Sequence, residues 1–90
     1  MPLYAIICRD RPGHLQTRLD TREAHLAHIR DSGIVRLAGP LIEDGQMCGS
    51  LVVVEAVDLA GAQAWAEADP YRAAGLFQST EVIEWKKVVG

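Results

Sequence analysis

The chain has 90 residues, of which 49% are hydrophobic and 23% charged, and its formal net charge is −3. This length allows one small domain, which we expect to span residues 1–90 and to bury about 60% of the surface of its unfolded chain. The acidic balance excludes an electrostatic drive toward nucleic acid or anionic membranes, and no apolar stretch approaches the roughly 20 residues of a membrane span.

Two cysteines, Cys8 and Cys48, form neither a CxxC pair nor a dense disulfide framework. This usage favours free thiols and a cytoplasmic location. Residues 3–8 form an apolar run that is too short for a signal peptide and lacks a basic leader. We expect the two cysteines to lie on neighbouring strands, adjacent to each other but reduced.

The hydrophobic pattern predicts six main elements. In chain order these are a strand over residues 3–8, a helix over 15–32, strands over 34–43 and 48–57, a helix over 59–68 and a strand over 79–88. Gly33 provides a stop signal after the first helix, and Asp44-Gly45 is typical of a hairpin turn. Pro40 cannot donate a ladder hydrogen bond, which predicts an edge or a bulge in the second strand. Asp58 is the predicted cap of the second helix.

The order β-α-β-β-α-β is that of a ferredoxin-like α+β domain. Its antiparallel four-stranded sheet is expected in the spatial order 4-1-3-2, with both helices on one face. Residues 51–54 are apolar at both parities, so the other face of the sheet also needs a covering layer. The simplest cover is a second copy of the sheet, which predicts a homodimer.

An ionisable side chain stands where the second helix must end. Asp69 precedes Pro70, and a residue before proline is pushed out of the α region. Pro70 suits the first position of a new short helix. Asp69 is therefore a predicted N-cap for the amide N–H of Tyr71 or Arg72.

The first helix carries a second group of polar residues. Counting about 100° per residue predicts a buried apolar stripe along this helix. The stripe consists of Leu15, Leu19, Leu26 and Ile29. Arg18, Arg22 and His25 form a ridge at its edge, with Arg22 almost inside it. His28 is predicted to face solvent.

If this ridge meets the Asp69 segment, Asp69 would accept a hydrogen bond from one ring nitrogen of His25. The other nitrogen would then be free as a general acid or base. Arg18 or Arg22 could hold a substrate carboxylate through two hydrogen bonds. A purely structural His–Asp hydrogen bond explains the pattern equally well, with the flanking arginines either extending their charges to solvent or pairing with Glu23 and Asp20.

Four short motifs extend the pattern: Arg18-x-x-x-Arg22-x-x-His25-Leu26, Ala38-Gly39-Pro40-Leu41, Gly49-Ser50-Leu51 and Asp69-Pro70-Tyr71-x-x-Ala74-Gly75. Together, in order and spacing, they resemble the YciI-like (YCII-related) family over residues 3–85. The resemblance implies a ferredoxin-like fold that pairs into a dimeric α/β barrel, with His25 and Asp69 as a His–Asp pair in a pocket. Most members have no established reaction, and a related branch includes dehalogenases and lactone isomerases. Glu23 stands where many relatives have proline.

The remaining candidates are weaker. Ser50 could line the pocket and Tyr71 could cover it, while Ser50 as a nucleophile lacks an elbow motif. His25 and His28 could bind zinc together with Asp69, but His28 is predicted to point away. We therefore expect neither a metal nor a cofactor.

The leading hypothesis is a small-molecule enzyme of the isomerase, lyase or dehalogenase type, with His25 as general acid/base. One alternative is a non-catalytic binding or sensing module whose pocket holds a small acid, such as a carboxylate. Another is a monooxygenase-like barrel protein that needs no cofactor. Turnover lost in His25→Ala would separate the first from the second, and oxygen consumption would point to the third.

Overall fold

The computed structural model describes residues 1–90 and contains seven elements. They are β1 (Leu3–Asp10), α1 (Leu15–Ser32), β2 (Val35–Glu43), β3 (Gln46–Glu55), α2 (Leu59–Glu67), α3 (Pro70–Ala73) and β4 (Phe77–Trp85). The strands form one antiparallel sheet in the order β2-β3-β1-β4, with the helices on one face. The predicted ferredoxin-like α+β fold and its strand order are confirmed.

Local sequence signals act where they were predicted to act. Gly33 follows α1 with a φ of 70°, and the hairpin between β2 and β3 turns at Asp44 and Gly45, with φ values of 50° and 75°. Pro40 lies in β2, an edge strand whose register shifts on both sides of it. The Asp58 side chain caps α2 by accepting an amide hydrogen bond of 2.9 Å from the first turn.

The strand ends differ from the predicted ones because pairing sets them. β4 ends at Trp85 rather than at residue 88, since Trp85 already pairs with Leu3, the first residue of β1. Later residues have no β1 partner. β3 begins at Gln46 rather than at residue 48, because the two-residue turn allows Gln46 to pair with Glu43.

The core lies between the sheet and α2. Nine buried residues form it: Tyr4, Ile6, Cys8, Val52, Val54, Ala56, Ala62, Trp65 and Ala66. Trp65 also joins α2 to α1, because its Nε1 donates to Ser32 Oγ at 2.9 Å. His28 stacks on the Trp65 ring at 4.4 Å, and its Nε2 lies 3.1 Å from the Trp65 carbonyl oxygen. The prediction that His28 faces solvent is wrong, because α2 covers a side of α1 that periodicity alone could not identify.

The apolar stripe predicted for α1 is confirmed only at Ile29, which is partly buried against the core. Leu15, Leu19 and Leu26 are 37–46% exposed, whereas the buried side chains of the helix are those of Arg18 and His25. Polar groups can be buried when they are hydrogen-bonded. Both residues find such partners across the fold, and a count of apolar residues along the helix does not detect those partners.

The sheet has an open face on the side away from the helices. Ala5 pairs with both Val53 and Ile83, and Val53 also pairs with Leu37, so these side chains share one face. Ala5 and Val53 are buried, while four larger side chains of this face are exposed by 38–60%: Leu37, Leu51, Ile83 and Trp85. The open face is thus mainly apolar.

No helix of the protein is both long and apolar enough to cross a membrane.

Candidate active site

The break in the chain before Pro70 brings a carboxylate into the interior. Asp69 is extended there, with φ −64° and ψ 126°, as proline requires of the residue before it. Its Oδ1 accepts the amide hydrogen bond of Tyr71 at 2.9 Å and so caps α3, as predicted. The same oxygen lies 2.8 Å from Nδ1 of His25. One carboxylate oxygen therefore serves both the backbone and the imidazole.

His25 reaches this carboxylate from the middle of α1. Its side chain is 8% exposed and that of Asp69 5%. An ionised carboxylate only accepts hydrogen bonds, so Nδ1 of His25 donates to it. Nε2 forms no hydrogen bond. Every fully buried side-chain nitrogen and oxygen atom has a partner, so Nε2 is not fully buried. Nε2 consequently borders open space, and the ring presents a free nitrogen to the pocket that His25 lines.

Tyr71 lies against both buried residues of α1, Arg18 and His25. Its ring stacks on the imidazole of His25, with centroids 4.0 Å apart and an angle of 17° between the planes. The guanidinium carbon of Arg18 is 4.7 Å from the centroid of the same ring. Burial raises the pKa of the Tyr71 phenol, and the charge of Arg18 only partly opposes this. Tyr71 is therefore a neutral hydroxyl at neutral pH.

Arg18 is buried, and two of its three guanidinium nitrogens are already engaged. Nε and Nη2 donate to the two carboxylate oxygens of Asp10 at 2.7 and 2.8 Å, and Nη2 also donates to Ser50 Oγ at 2.9 Å. Burial lowers the pKa of the guanidinium, but the Asp10 carboxylate outweighs this and the net direction is upward. Arg18 thus supports Ser50 and Tyr71 through Nη2 and its ring contact, while Nη1 donates to no protein group and Arg18 lines the pocket.

Arg22 is the contrasting arginine. It was expected almost inside the buried stripe, yet it is exposed, although it shares a helix face with Arg18 and His25; unlike them, it has no partner in the rest of the fold. Arg22 lines the same pocket as His25 and forms no salt bridge. Its guanidinium is therefore available to a ligand.

These side chains enclose a pocket of about 170 Å³. Its polar lining residues are Arg18, Arg22, His25, Ser50 and Tyr71, and its other lining residues are Leu26, Ile29, Ala38, Gly39, Pro40, Met47 and Val52. Five of the six predicted site residues thus line one cavity. The sixth, Asp69, is not a lining residue and contacts His25 through Nδ1.

Sequence reasoning missed Asp10, the partner of Arg18. A signal was present: Asp10 has the same parity as Tyr4, Ile6 and Cys8, which all belong to the core.

The two cysteines lie on the neighbouring strands β1 and β3, but Cys8 is opposite Ser50 and not Cys48. They are therefore not directly paired, and both are free thiols.

Comparison with known proteins identifies the family. The YCII-related domain model matches residues 2–86. The chain belongs to the YCII-related domain family. It is 40% identical to protein YciI of Escherichia coli O6:H1, with 96% of this chain and 98% of the relative aligned. An uncharacterized protein of Haemophilus influenzae is 35% identical, with coverage of 94% and 97%. The predicted family is confirmed.

Solved structures extend the comparison. The 5-chloro-2-hydroxyhydroquinone dehydrochlorinase TftG of Burkholderia phenoliruptrix AC1100, in complex with 2,5-dihydroxybenzoquinone, is 36% identical to this YCII-related chain. The two superpose with a TM-score of 0.84 over 93% of each. An antibiotic biosynthesis monooxygenase has a TM-score of 0.61 at 10% identity over 99% of this chain and 100% of its own. That likeness shows a shared fold alone.

Proposed function

We propose that this protein is a small-molecule enzyme of the isomerase, lyase or dehalogenase type, in which Nε2 of His25 transfers a proton. One observation carries the proposal: Nδ1 of His25 is held by Asp69 at 2.8 Å, while Nε2 has no partner and His25 lines a pocket. A histidine held in this way has a defined tautomer and orientation, which general acid–base catalysis requires.

In an elimination, Nε2 takes a proton from a carbon next to a carbonyl group. The electron pair of the C–H bond becomes a C=C bond, and the leaving group departs from the neighbouring carbon with its own electron pair. The substrate therefore loses HX, and the imidazolium returns its proton to solvent. The Asp69 carboxylate stabilises this imidazolium, as in other His–carboxylate pairs. A tautomerisation begins with the same step and returns the proton to a different atom.

The size of the pocket favours a substrate with one ring. Its volume of about 170 Å³ is below the roughly 300–1,000 Å³ of most ligand pockets. TftG is named for a chlorinated hydroxyhydroquinone and shares 36% identity with this chain. We extend that class, a hydroxylated ring or its keto tautomer, to this protein. Arg22 would hold an anionic oxygen of the ring or an acidic substituent, and Ser50 and Tyr71 would contact the remaining oxygens.

Chloride release from 5-chloro-2-hydroxyhydroquinone, measured beside binding of 2,5-dihydroxybenzoquinone, tests the proposal. We expect saturable turnover that falls by about 10²- to 10⁴-fold in His25→Ala. His28→Ala is the matched control, because His28 contacts Trp65 outside the pocket, and it should keep the turnover. Binding without turnover of this or other halogenated hydroxyaromatics would favour a binding module, and oxygen uptake would favour a monooxygenase-like protein.

The His25–Asp69 pairing has its own test. Asp69→Asn removes one charge and retains the shape, so it should weaken the charge-assisted hydrogen bond of His25 Nδ1, which NMR detects as a change in the ¹⁵N chemical shift of that nitrogen. It should also lower kcat more than it changes KM, because the lost charge matters most when the imidazolium forms. An identical ¹⁵N chemical shift of His25 Nδ1 in the two proteins would contradict the pairing and return Asp69 to the role of a helix cap.

We also propose that the protein is a homodimer in which two open faces pack together. The support is the apolar character of a face that no helix covers, with Leu37, Leu51, Ile83 and Trp85 exposed by 38–60%. A surface patch of this kind marks an interaction site more often than it remains free.

A further inference from the structure

A second concavity, which we call the outer cleft, lies next to the pocket. It is an open cleft of about 460 Å³ formed by the end of β1, the loop before α1, the β2–β3 hairpin and the start of β4. Its lining residues include Arg11, His14, Gln46, Gln78 and Ser79, so it is mainly polar. None of these residues lines the pocket around His25.

Three residues identify the boundary between the outer cleft and the pocket. Met47 lines both. Asp10 lines the cleft and Arg18 lines the pocket, and their side chains form the ion pair of 2.7 Å. Because methionine is unbranched and flexible, the boundary at Met47 can adapt to a ligand that extends from one cavity into the other.

The charges of the outer cleft do not cancel. Arg9 is paired with Glu43 at 2.9 Å, and the Asp10 carboxylate is neutralised by Arg18. Arg11 forms no salt bridge. When His14 is counted as neutral, the Arg11 guanidinium is therefore the one formal charge in the lining of the cleft that no partner balances. His14 is held at the rim, where Nδ1 lies 3.0 Å from the carbonyl oxygen of Pro12. The cleft is thus suited to an anion.

We propose that the outer cleft is the second half of the substrate site and binds an acidic arm of the substrate through Arg11, while the ring occupies the pocket beyond Met47. This inference rests on the proposed function for the position of the ring. The pocket alone, at about 170 Å³, is below the roughly 300–1,000 Å³ typical of ligand sites, and the adjoining cleft of about 460 Å³ supplies the missing volume. The substrate class becomes a hydroxylated ring with one carboxylate-bearing side chain.

Binding of matched probes tests this inference. The probes are hydroquinones with carboxylate arms of one, three or five methylene groups, each compared with its primary amide. Met47 and Met1 are the only methionines, so methyl-labelled methionine gives two NMR signals. Met47 marks the boundary, while Met1 lines a different groove with Leu3 and Trp85. We expect the Met47 signal to move and the Met1 signal to stay.

At the best arm length, the carboxylate should bind about threefold to tenfold more tightly than the amide. Arg11→Gln should abolish this preference. Arg72→Gln is the matched control, since it changes the net charge equally at an exposed arginine that lines neither cavity. Equal affinities of acid and amide at every arm length, equal losses in the two variants, or no movement of Met47 with any probe would overturn the inference.

The outcomes also separate this inference from the proposed function. Turnover of the chlorinated ring without any advantage of the acidic arm would leave the enzyme and remove the role of the cleft. Binding of the arm through Arg11, without turnover of a chlorinated hydroquinone that carries the same arm, would support the cleft and contradict the catalytic proposal.

Discussion

Arg18 is the side chain whose burial most needs explanation at the residue scale. Its side chain is 4% exposed, and that of its partner Asp10 is 7% exposed. The Arg18 Nε atom lies 2.7 Å from Oδ2 of the Asp10 carboxylate, which balances its charge. Removing one member of a buried pair leaves an uncompensated charge, whose penalty exceeds the value of the pair itself. We therefore expect Asp10→Asn to lower the free energy of unfolding by about 3 kcal/mol, measured by urea denaturation.

Glu43→Gln provides the control for that prediction. It removes the partner of Arg9 from a pair whose side chains are 55% and 66% exposed. Exposed ion pairs contribute about 0–1 kcal/mol, so this variant should remain close to the wild type in stability. Similar losses in the two variants would show that the Asp10–Arg18 pair behaves as a surface pair.

Cys8 makes stability sensitive to alkaline pH. Burial raises the pKa of its thiol to about 11, so between about pH 9 and 11 the unfolded chain has lost a proton that the folded protein keeps. The contribution of Cys8 is thus fully present below pH 9 and is lost as the pH rises toward 11. From pH 8 to about pH 10.5 the free energy of unfolding should fall by about 2 kcal/mol through this group. Denaturation curves of Cys8→Ala should show a smaller fall; an equal fall would exclude Cys8 as its source.

Residue roles were predictable where neighbours in the chain define them. Asp69 could be recognised as a cap because Pro70 constrains its backbone, whatever the rest of the fold does. The burial of Arg18 depends instead on Asp10 and Ser50, which belong to two other elements. His28 was misjudged for the same reason, since Trp65 reaches it only after α2 has packed.

At the scale of elements, β3 approaches its neighbour β1 unusually closely at Gly49. A Cβ atom there would overlap the carbonyl oxygen of Cys8 and lie 2.9 Å from Cδ1 of Leu41. Backbone cannot move aside as a flexible side chain can, so we expect Gly49→Ala to destabilise the fold by about 1–3 kcal/mol. Thermal unfolding followed by circular dichroism measures this loss.

Gly39, on the adjacent strand β2, is the matched control for Gly49. A Cβ atom at Gly39 would meet nothing within 4 Å, and alanine restricts the unfolded chain more than glycine does. Gly39→Ala should therefore be neutral or slightly stabilising. A loss as large as that of Gly49→Ala would mean that strand propensity, and not the close approach of β1, explains both effects.

Elements were predicted more reliably than their orientations. The bounds of α1 follow from its spacing and from Gly33, and they agree with the structure. The buried face of α1 cannot be read from this spacing. Leu15, Leu19 and Leu26 fit the helical period just as closely as the residues that are actually buried. Which face turns inward is decided by polar partners elsewhere in the chain.

At the scale of the whole molecule, the open face sets the expected assembly. If two copies pack through it, a charge at its centre should separate them. We expect the wild type to sediment at about twice the 9.8 kDa of one chain and Ile83→Glu to sediment as a folded monomer, because a buried unpaired carboxylate opposes association. Ala60→Glu, at an exposed position of α2, should leave the dimer intact. A monomeric wild type at micromolar concentration would contradict this assembly.

One oxygen of Asp69, Oδ1, accepts hydrogen bonds from both Tyr71 N and His25 Nδ1. This double role has an evolutionary consequence. Most replacements of this residue would remove the start of α3 together with the anchor of the imidazole, so selection for a folded chain also preserves the carboxylate in generations without substrate. Asparagine is the exception, because it caps a helix nearly as well as aspartate but carries no charge. A single base change in the aspartate codon produces it. On the proposed function, a lineage that abandons proton transfer while keeping this fold should therefore carry Asn-Pro-Tyr where this chain has Asp-Pro-Tyr.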